Sequence, residues 1–127
     1  MRATPFLMFQ GQARDALALY RSAFPDLEEL LLQEHAEGEM AGQIAMAQVR
    51  FAAQEVMLYD SPPVHAFTFT PSFSFFIQCD DEAQLRRLAE VLGEGGGVMM
   101  EIGNHGFSTL FTWIADRFGV SWQLNLP

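Results

Sequence analysis

The sequence predicts an α+β fold of two βαβββ modules, each forming a small curved mixed sheet. Three observations lead there. The order strand, helix, three strands occurs twice, at an offset of about seventy residues that matches Ala13 with Ala83 and Phe6 with Phe76. A polar, proline-marked crossover over residues 61–71, from Ser61-Pro62-Pro63 to Pro71, separates the two runs. Each module alone would also leave an apolar sheet face uncovered, so two must pair, within the chain or between two chains. The expected plan is a single domain, residues 1–127, made of modules 1–60 and 72–127.

Each element has its own warrant. Residues 4–10, TPFLMFQ, are dense in aromatic and aliphatic side chains and form the first strand, broken by Gly11. Over 12–24, Ala13, Ala16, Leu17, Tyr20 and Phe24 recur at helical spacing, and Pro25 ends the run. Residues 27–35, LEELLLQEH, favour helix by composition, but their place between a Pro-Asp turn and another strand assigns them to β. Over 44–52, Ala45, Ala47, Val49 and Phe51 share one face and Gln48 and Arg50 the other, and 55–59 completes a hairpin.

The second module starts with a strand over 73–79, with Phe73, Phe75, Ile77 and Cys79 on one face. Asp81 and Gln84 have the spacing of a capping box ahead of a helix whose buried stripe is Leu85, Leu88, Ala89 and Leu92. Residues 98–102, 109–115 and 120–126 are three more strands. The last sets Val120, Trp122, Leu124 and Leu126 against Ser121, Gln123 and Asn125.

The run Gly93-Glu94-Gly95-Gly96-Gly97 invites comparison with a loop that cradles a nucleotide. Such a loop needs a strand before it and a helix after it, so that free helix N–H groups meet the anion. Here the order is reversed, with the helix first and the strand second. Gly93 is expected to close the helix in the left-handed conformation, and Gly95 to Gly97 to turn the chain into the strand. The chain also has no room for the larger parallel α/β domain that normally carries an S-adenosylmethionine site. No cofactor is expected.

Composition narrows the partners. The net charge of −9 and a basic complement of only seven arginines oppose nucleic-acid binding. No apolar run is long enough to span a membrane, and the N-terminus does not have a signal-peptide core. Cys79 is the only cysteine; it excludes an internal disulfide, fits packing better than nucleophilic chemistry, and suits a reducing cytoplasm. His35 lies among Glu34, Glu37 and Glu39 and reads as solvated, and His65 reads as turn packing in the crossover. His105, in Asn104-His105-Gly106-Phe107-Ser108, joins two strands; with Glu101 it is a weak catalytic candidate as an acid/base pair, beside its plain reading as a loop residue.

Four stretches carry a resemblance: "TPFLMFQGQARDALALYRSAFPD", "YDSPPVHAFTFTPSFSFFIQCDDEAQL", "GEGGGVMMEIG" and "HGFSTLFTWIADRFGVSWQLNLP". The paired βαβββ plan resembles the vicinal oxygen chelate superfamily, which holds glyoxalase I, bleomycin-resistance proteins and extradiol dioxygenases. The local motifs are similar to its PhnB-like branch, often labelled 3-demethylubiquinone-9 3-methyltransferase. The resemblance implies a homodimer and, in the enzymes, a divalent metal held by four His and Glu side chains on the first and last strands of each half. The corresponding positions here carry Thr4 or Pro5, Met57 or Leu58, Ser72 or Ser74, and Gln123. None matches the His and Glu set, so no metal is expected. His105, Leu110 and Thr112 also depart from the tyrosine-type residue, basic residue and glycine usual in that branch.

What remains is a concave apolar space, with Phe9, Phe76, Trp113, Trp122 and Gln123 as candidate ligand-binding residues; the same aromatics would serve equally to fill a core. The segment Phe67-Thr68-Phe69-Thr70 either gates a pocket or packs against a second subunit. Two functions follow. One is a metal-free homodimer that binds a small apolar or aromatic molecule, comparable with the bleomycin-resistance type. The other is an enzyme, either a divergent lyase or isomerase using His105 and Glu101 or the methyltransferase of the family label.

Overall fold

The computed structural model describes residues 1–127 as two compact units, Met1–Phe67 and Thr68–Pro127. The first holds β1 (Phe6–Phe9), α1 (Ala13–Ala23), β2 (Glu28–Glu34), β3 (Ile44–Phe51) and β4 (Gln54–Asp60). The second holds β5 (Ser74–Gln78), α2 (Glu82–Gly93), β6 (Gly97–Gly103), β7 (Leu110–Ala115) and β8 (Ser121–Leu126). The sheets are ordered β1-β4-β3-β2 and β5-β8-β7-β6. In each, the first strand runs parallel to the last and the other pairs are antiparallel. The α+β plan of two mixed four-stranded sheets is therefore the one the sequence predicts. The matched residues Phe6 and Phe76 also occupy like positions, facing Met57 and Gln123 across the parallel pairs.

In the first unit the strand period sends Leu7, Phe9, Val49, Phe51, Val56 and Leu58 into the core. α1 covers that face: Tyr20 and Phe24 place their rings 6.3 and 4.7 Å from that of Phe51. Gln12 caps α1 without a side-chain bond. Asp60 supplies the acceptor instead, its Oδ1 taking the Gly11 and Ala13 N–H groups at 2.9 and 3.0 Å and its Oδ2 that of Ile44 at 3.0 Å. One buried carboxylate thus ties the helix start to two strands.

Two departures from the expected pattern have local causes. The β2–β3 register skips Ala45, a bulge that shifts the phase of β3, so Ile44 is buried and Ala45 only partly so. The β3–β4 hairpin closes through Ala52 and Ala53, both with positive φ (47° and 63°), where glycine or asparagine is the usual occupant.

In the second unit α2 packs on β7 and β8. Leu85, Leu88 and Leu92 are buried together with Phe75, Ile114, Trp122 and Leu124. Burial of each large side chain contributes about 1.5–3 kcal/mol. Trp122 is fully covered, its ring 4.9 Å from that of Phe75 and its indole N–H donating to Asp116 Oδ2 at 3.0 Å. The capping box forms at Asp81, whose carboxylate accepts the Gln84 N–H at 2.8 Å; the Gln84 side chain reaches one residue further back, to the Asp80 N–H.

The glycine run needs one correction. Gly93 is the last helical residue, Glu94 leaves in an extended conformation, and the left-handed residue is Gly95 (φ 73°). At Gly96 the reason is space rather than dihedral angle, because a Cβ there would lie 1.9 Å from the Ala115 carbonyl oxygen. The run turns the helix into β6 and lets β6 approach β7.

Candidate functional site

Each sheet of the fold has one face covered by its helix, and strand periodicity puts alternate residues on the other face. In the second unit that open face carries a row in register across four strands. Phe76 is opposite Gln123, Gln123 opposite Trp113, and Trp113 opposite Met100. The row is flanked on one side by Ser74, Ser121 and Ala115 and on the other by Gln78, Asn125 and Phe111.

Polar side chains of this face bond to one another. Ser74 Oγ and Ser121 Oγ are 2.6 Å apart, the Trp113 indole N–H donates to Ser121 Oγ at 2.8 Å, and Gln123 Nε2 donates to Ser74 Oγ at 3.3 Å. Further along β8, Asn125 Nδ2 donates to Gln78 Oε1 at 2.9 Å, and the Ser108 hydroxyl donates to Asn125 Oδ1. An aromatic group borders the same rows. Phe111 has the Phe107 ring at 4.9 Å, the His105 ring at 6.0 Å and the Phe76 ring at 6.5 Å. Phe76 remains 53% exposed, far more than a core aromatic would be.

The structure therefore brings together Phe76, Trp113 and Gln123 among the sequence candidates. Phe9 and Trp122 stand apart, because each lies on the helix-covered face of its sheet and is buried, at 2% and 0% exposure. Trp122 and Gln123 are adjacent in one strand and so cannot share a face. Of the polar partners on this face, Ser74 was read from sequence only as a poor metal ligand, Ser121 and Asn125 only as the polar side of the last strand, and Gln78 was not singled out. Their signal was the polar alternation Ser121, Gln123, Asn125 along β8, with Ser74 and Gln78 flanking Phe76 at the same period in β5.

His105 and Glu101 are not set as an acid/base pair. His105 has a positive φ (59°), and its Nε2 lies 2.7 Å from the backbone carbonyl oxygen of Glu101 rather than from a carboxylate. A carbonyl only accepts, so Nε2 carries the proton there. The Glu101 side chain lines a different feature, a groove of about 650 Å³ between α2 and the strands, with Glu90, Glu94, Thr112 and Ile114 among its walls. Thr112 and Ile114 alternate in β7 with Phe111 and Trp113, so this groove is on the helix side of the sheet.

Cys79 is buried, and desolvation pushes its thiol up to about 11, so it stays protonated at neutral pH. The His65 ring lies tilted against that of Phe67 with centroids 4.7 Å apart, and Glu34 pairs with Arg14 at 2.8 Å. Of the positions compared with metal ligands in the sequence, Met57 N–H donates to Pro5 O at 2.9 Å, and Gln123 Nε2 donates to Ser74 Oγ at 3.3 Å. No group of three or more His, Cys, Asp or Glu side chains is arranged to hold a metal ion. No helix is long and apolar enough to cross a membrane.

Comparison with known proteins agrees with the fold. The chain matches the family described as 3-demethylubiquinone-9 3-methyltransferase over residues 1–125. No curated protein matches it. Among solved structures, a putative 3-demethylubiquinone-9 3-methyltransferase, the PhnB protein of Bacillus cereus, is 35% identical over 100% of both chains, with a TM-score of 0.94. A glyoxylase/bleomycin resistance protein/dioxygenase domain from Frankia is 13% identical, covering 99% of this chain and 91% of that one, with a TM-score of 0.66. A fosfomycin resistance protein from Listeria monocytogenes, solved with Mn(II), is 11% identical, covering 98% and 90%, with a TM-score of 0.66. The last two share the fold alone. A match along nearly the whole chain, and a full-length relative more than one-third identical, place this protein in the PhnB-like, 3-demethylubiquinone-9 3-methyltransferase family, with a glyoxalase/bleomycin-resistance fold.

Proposed function

We propose that this protein binds a small apolar or aromatic molecule on the open face of its second sheet, without a metal ion, as a cytoplasmic homodimer. The observation that carries this reading is the in-register row Phe76–Gln123–Trp113, in which a half-exposed aromatic ring sits beside a polar amide. Stacking and area burial against Phe76 would supply affinity, and the Gln123 amide would fix orientation. A metal-dependent mechanism fits poorly with Met57, Ser74 and Gln123 at the expected ligand positions, since thioether, hydroxyl and amide groups are weak ligands for the metals that His and Glu hold. The dimer reading is supported by exposed Phe67, Phe73, Val98 and Phe107, side chains that a second subunit would cover. A single buried, protonated thiol suits a reducing compartment.

A second reading is an enzyme: the family name favours methyl transfer, and His105, beside Phe111 at the rim of the face, is the side chain that a divergent lyase or isomerase would use with Glu101. A thermal-shift screen of the purified protein against a metabolite library and divalent metals tests both. A rise of several degrees with an uncharged ring compound, unchanged in His105→Ala, is expected. A comparable rise with Ni²⁺ or Zn²⁺ would overturn the metal-free reading, and a turnover abolished by His105→Ala would favour the enzyme.

A further inference from the structure

The hydrogen bonds around Gln123 define what a ligand there must offer. This inference rests on the binding reading above. Trp113 has one indole proton, and Ser121 Oγ takes it. Only one of the Ser74 and Ser121 hydroxyls can donate across the 2.6 Å contact between them. If Ser74 donated, the Ser121 proton would be left without a partner at a residue only 1% exposed, which is unfavourable. Ser121 therefore donates to Ser74, which also accepts from Gln123 Nε2.

The chain of donation runs from Trp113 through Ser121 to Ser74, and it ends at the more exposed residue. Three groups remain unused at its edge: the Ser74 O–H, the second Gln123 N–H, and the Gln123 Oε1 acceptor. Phe76, beside Gln123 in the sheet register, offers a ring face. None of the residues in register on this face is charged. Of the unit's three arginines, Arg86 and Arg87 are on α2, and Arg117 lies in the β7–β8 turn with its guanidinium over the Phe118 ring at 4.9 Å.

We propose that this face selects an uncharged planar ring whose edge carries a hydrogen-bond donor next to an acceptor, as in a cyclic amide. The ligand's N–H meets Gln123 Oε1, its carbonyl meets the Gln123 N–H and the Ser74 O–H, and its ring lies on Phe76. Trp113 and Ser121 are positioning residues that polarise Ser74. Carboxylates and phosphates are disfavoured, since they would lose hydration and gain no cation.

Isothermal titration calorimetry on the full chain tests this with three probes of similar size: 2-quinolone, N-methyl-2-quinolone and naphthalene-2-carboxylate. 2-Quinolone is expected to bind about ten-fold more tightly than either of the others. Gln123→Met should reduce the preference over the N-methyl compound to about two-fold. Ser74→Ala should weaken 2-quinolone several-fold while keeping that preference, with melting temperatures reporting that both variants fold. Equal binding of 2-quinolone and its N-methyl analogue, unaffected by Gln123→Met, or tighter binding of the carboxylate, would overturn the ligand class and leave the binding reading standing. Binding of none of the three would overturn both.

Discussion

Alanine at Gly95, Gly96 and Gly97 separates a structural turn from a ligand cradle. In Gly96→Ala the new Cβ lands 1.9 Å from Ala115 O and 2.9 Å from the carbonyl carbons of Ala115 and Asp116. Those are backbone atoms, so no side chain can swing aside. Ordinary C···O contact is about 3.3 Å, so β6 and β7 must separate by more than about 1 Å at this end. That loosens the ladder at Gly97–Ala115 and Val98–Ile114. Loss of one or two ladder bonds plus residual strain gives a destabilisation of about 2–4 kcal/mol. At Gly95 the cost is dihedral: φ is 73°, and alanine there costs about 1–2 kcal/mol, partly offset by a stiffer unfolded chain. At Gly97 nothing lies within 4 Å of the added Cβ, and the change should stay within about 0.5 kcal/mol. Urea unfolding followed by tryptophan fluorescence reads all three. The order 96, 95, 97 is expected, and a Gly96→Ala protein as stable as Gly97→Ala would refute the steric reasoning.

Four further outcomes follow from the same structure. Ala53→Gly removes a positive-φ alanine from the β3–β4 turn and should stabilise by about 0.5–1 kcal/mol, raising Tm by about 2–4 °C in a scanning experiment. Asp60→Ala leaves the Gly11, Ala13 and Ile44 N–H groups without their acceptor and should cost about 2–4 kcal/mol in urea unfolding. Cys79 has a folded pKa near 11 against 9.0 unfolded, so the protonated thiol is favoured in the native state. Its contribution is full below pH 9 and is lost as pH rises toward 11, so Cys79→Ala should flatten the fall in stability between those values. The same burial should keep the native thiol slow toward disulfide reagents at pH 8, with rapid reaction only in denaturant.

The element order was readable because apolar spacing changes from two to about 3.6 and back in each half, with Gly and Pro at the joints. β2 was the hardest, since it is an edge strand with Leu30 and Leu31 about 40% exposed, and an exposed edge leaves no buried alternation. The Ala45 bulge and the shift of the left-handed residue from Gly93 to Gly95 were not readable. Both depend on the fit between strands that are far apart in sequence.

The candidate site was legible in part for the same reason. Gln123 and Trp122 had to face opposite ways by strand period alone, and Phe76 and Trp113 could be joined to Gln123 only once register was known. The Ser74–Ser121 contact spans 47 residues of chain across a parallel pair, which no local pattern encodes.

The most direct test is a ¹H–¹⁵N correlation spectrum during titration with 2-quinolone, read at three side-chain signals. If the open face of the second sheet holds the ligand, the Trp113 indole and Gln123 amide resonances move together with saturation. The Trp122 indole, buried on the opposite face and bonded to Asp116, stays in place. Shifts confined to Trp122 or to the backbone of Glu90 and Glu101 in the α2 groove, or no shifts at any signal, would contradict it.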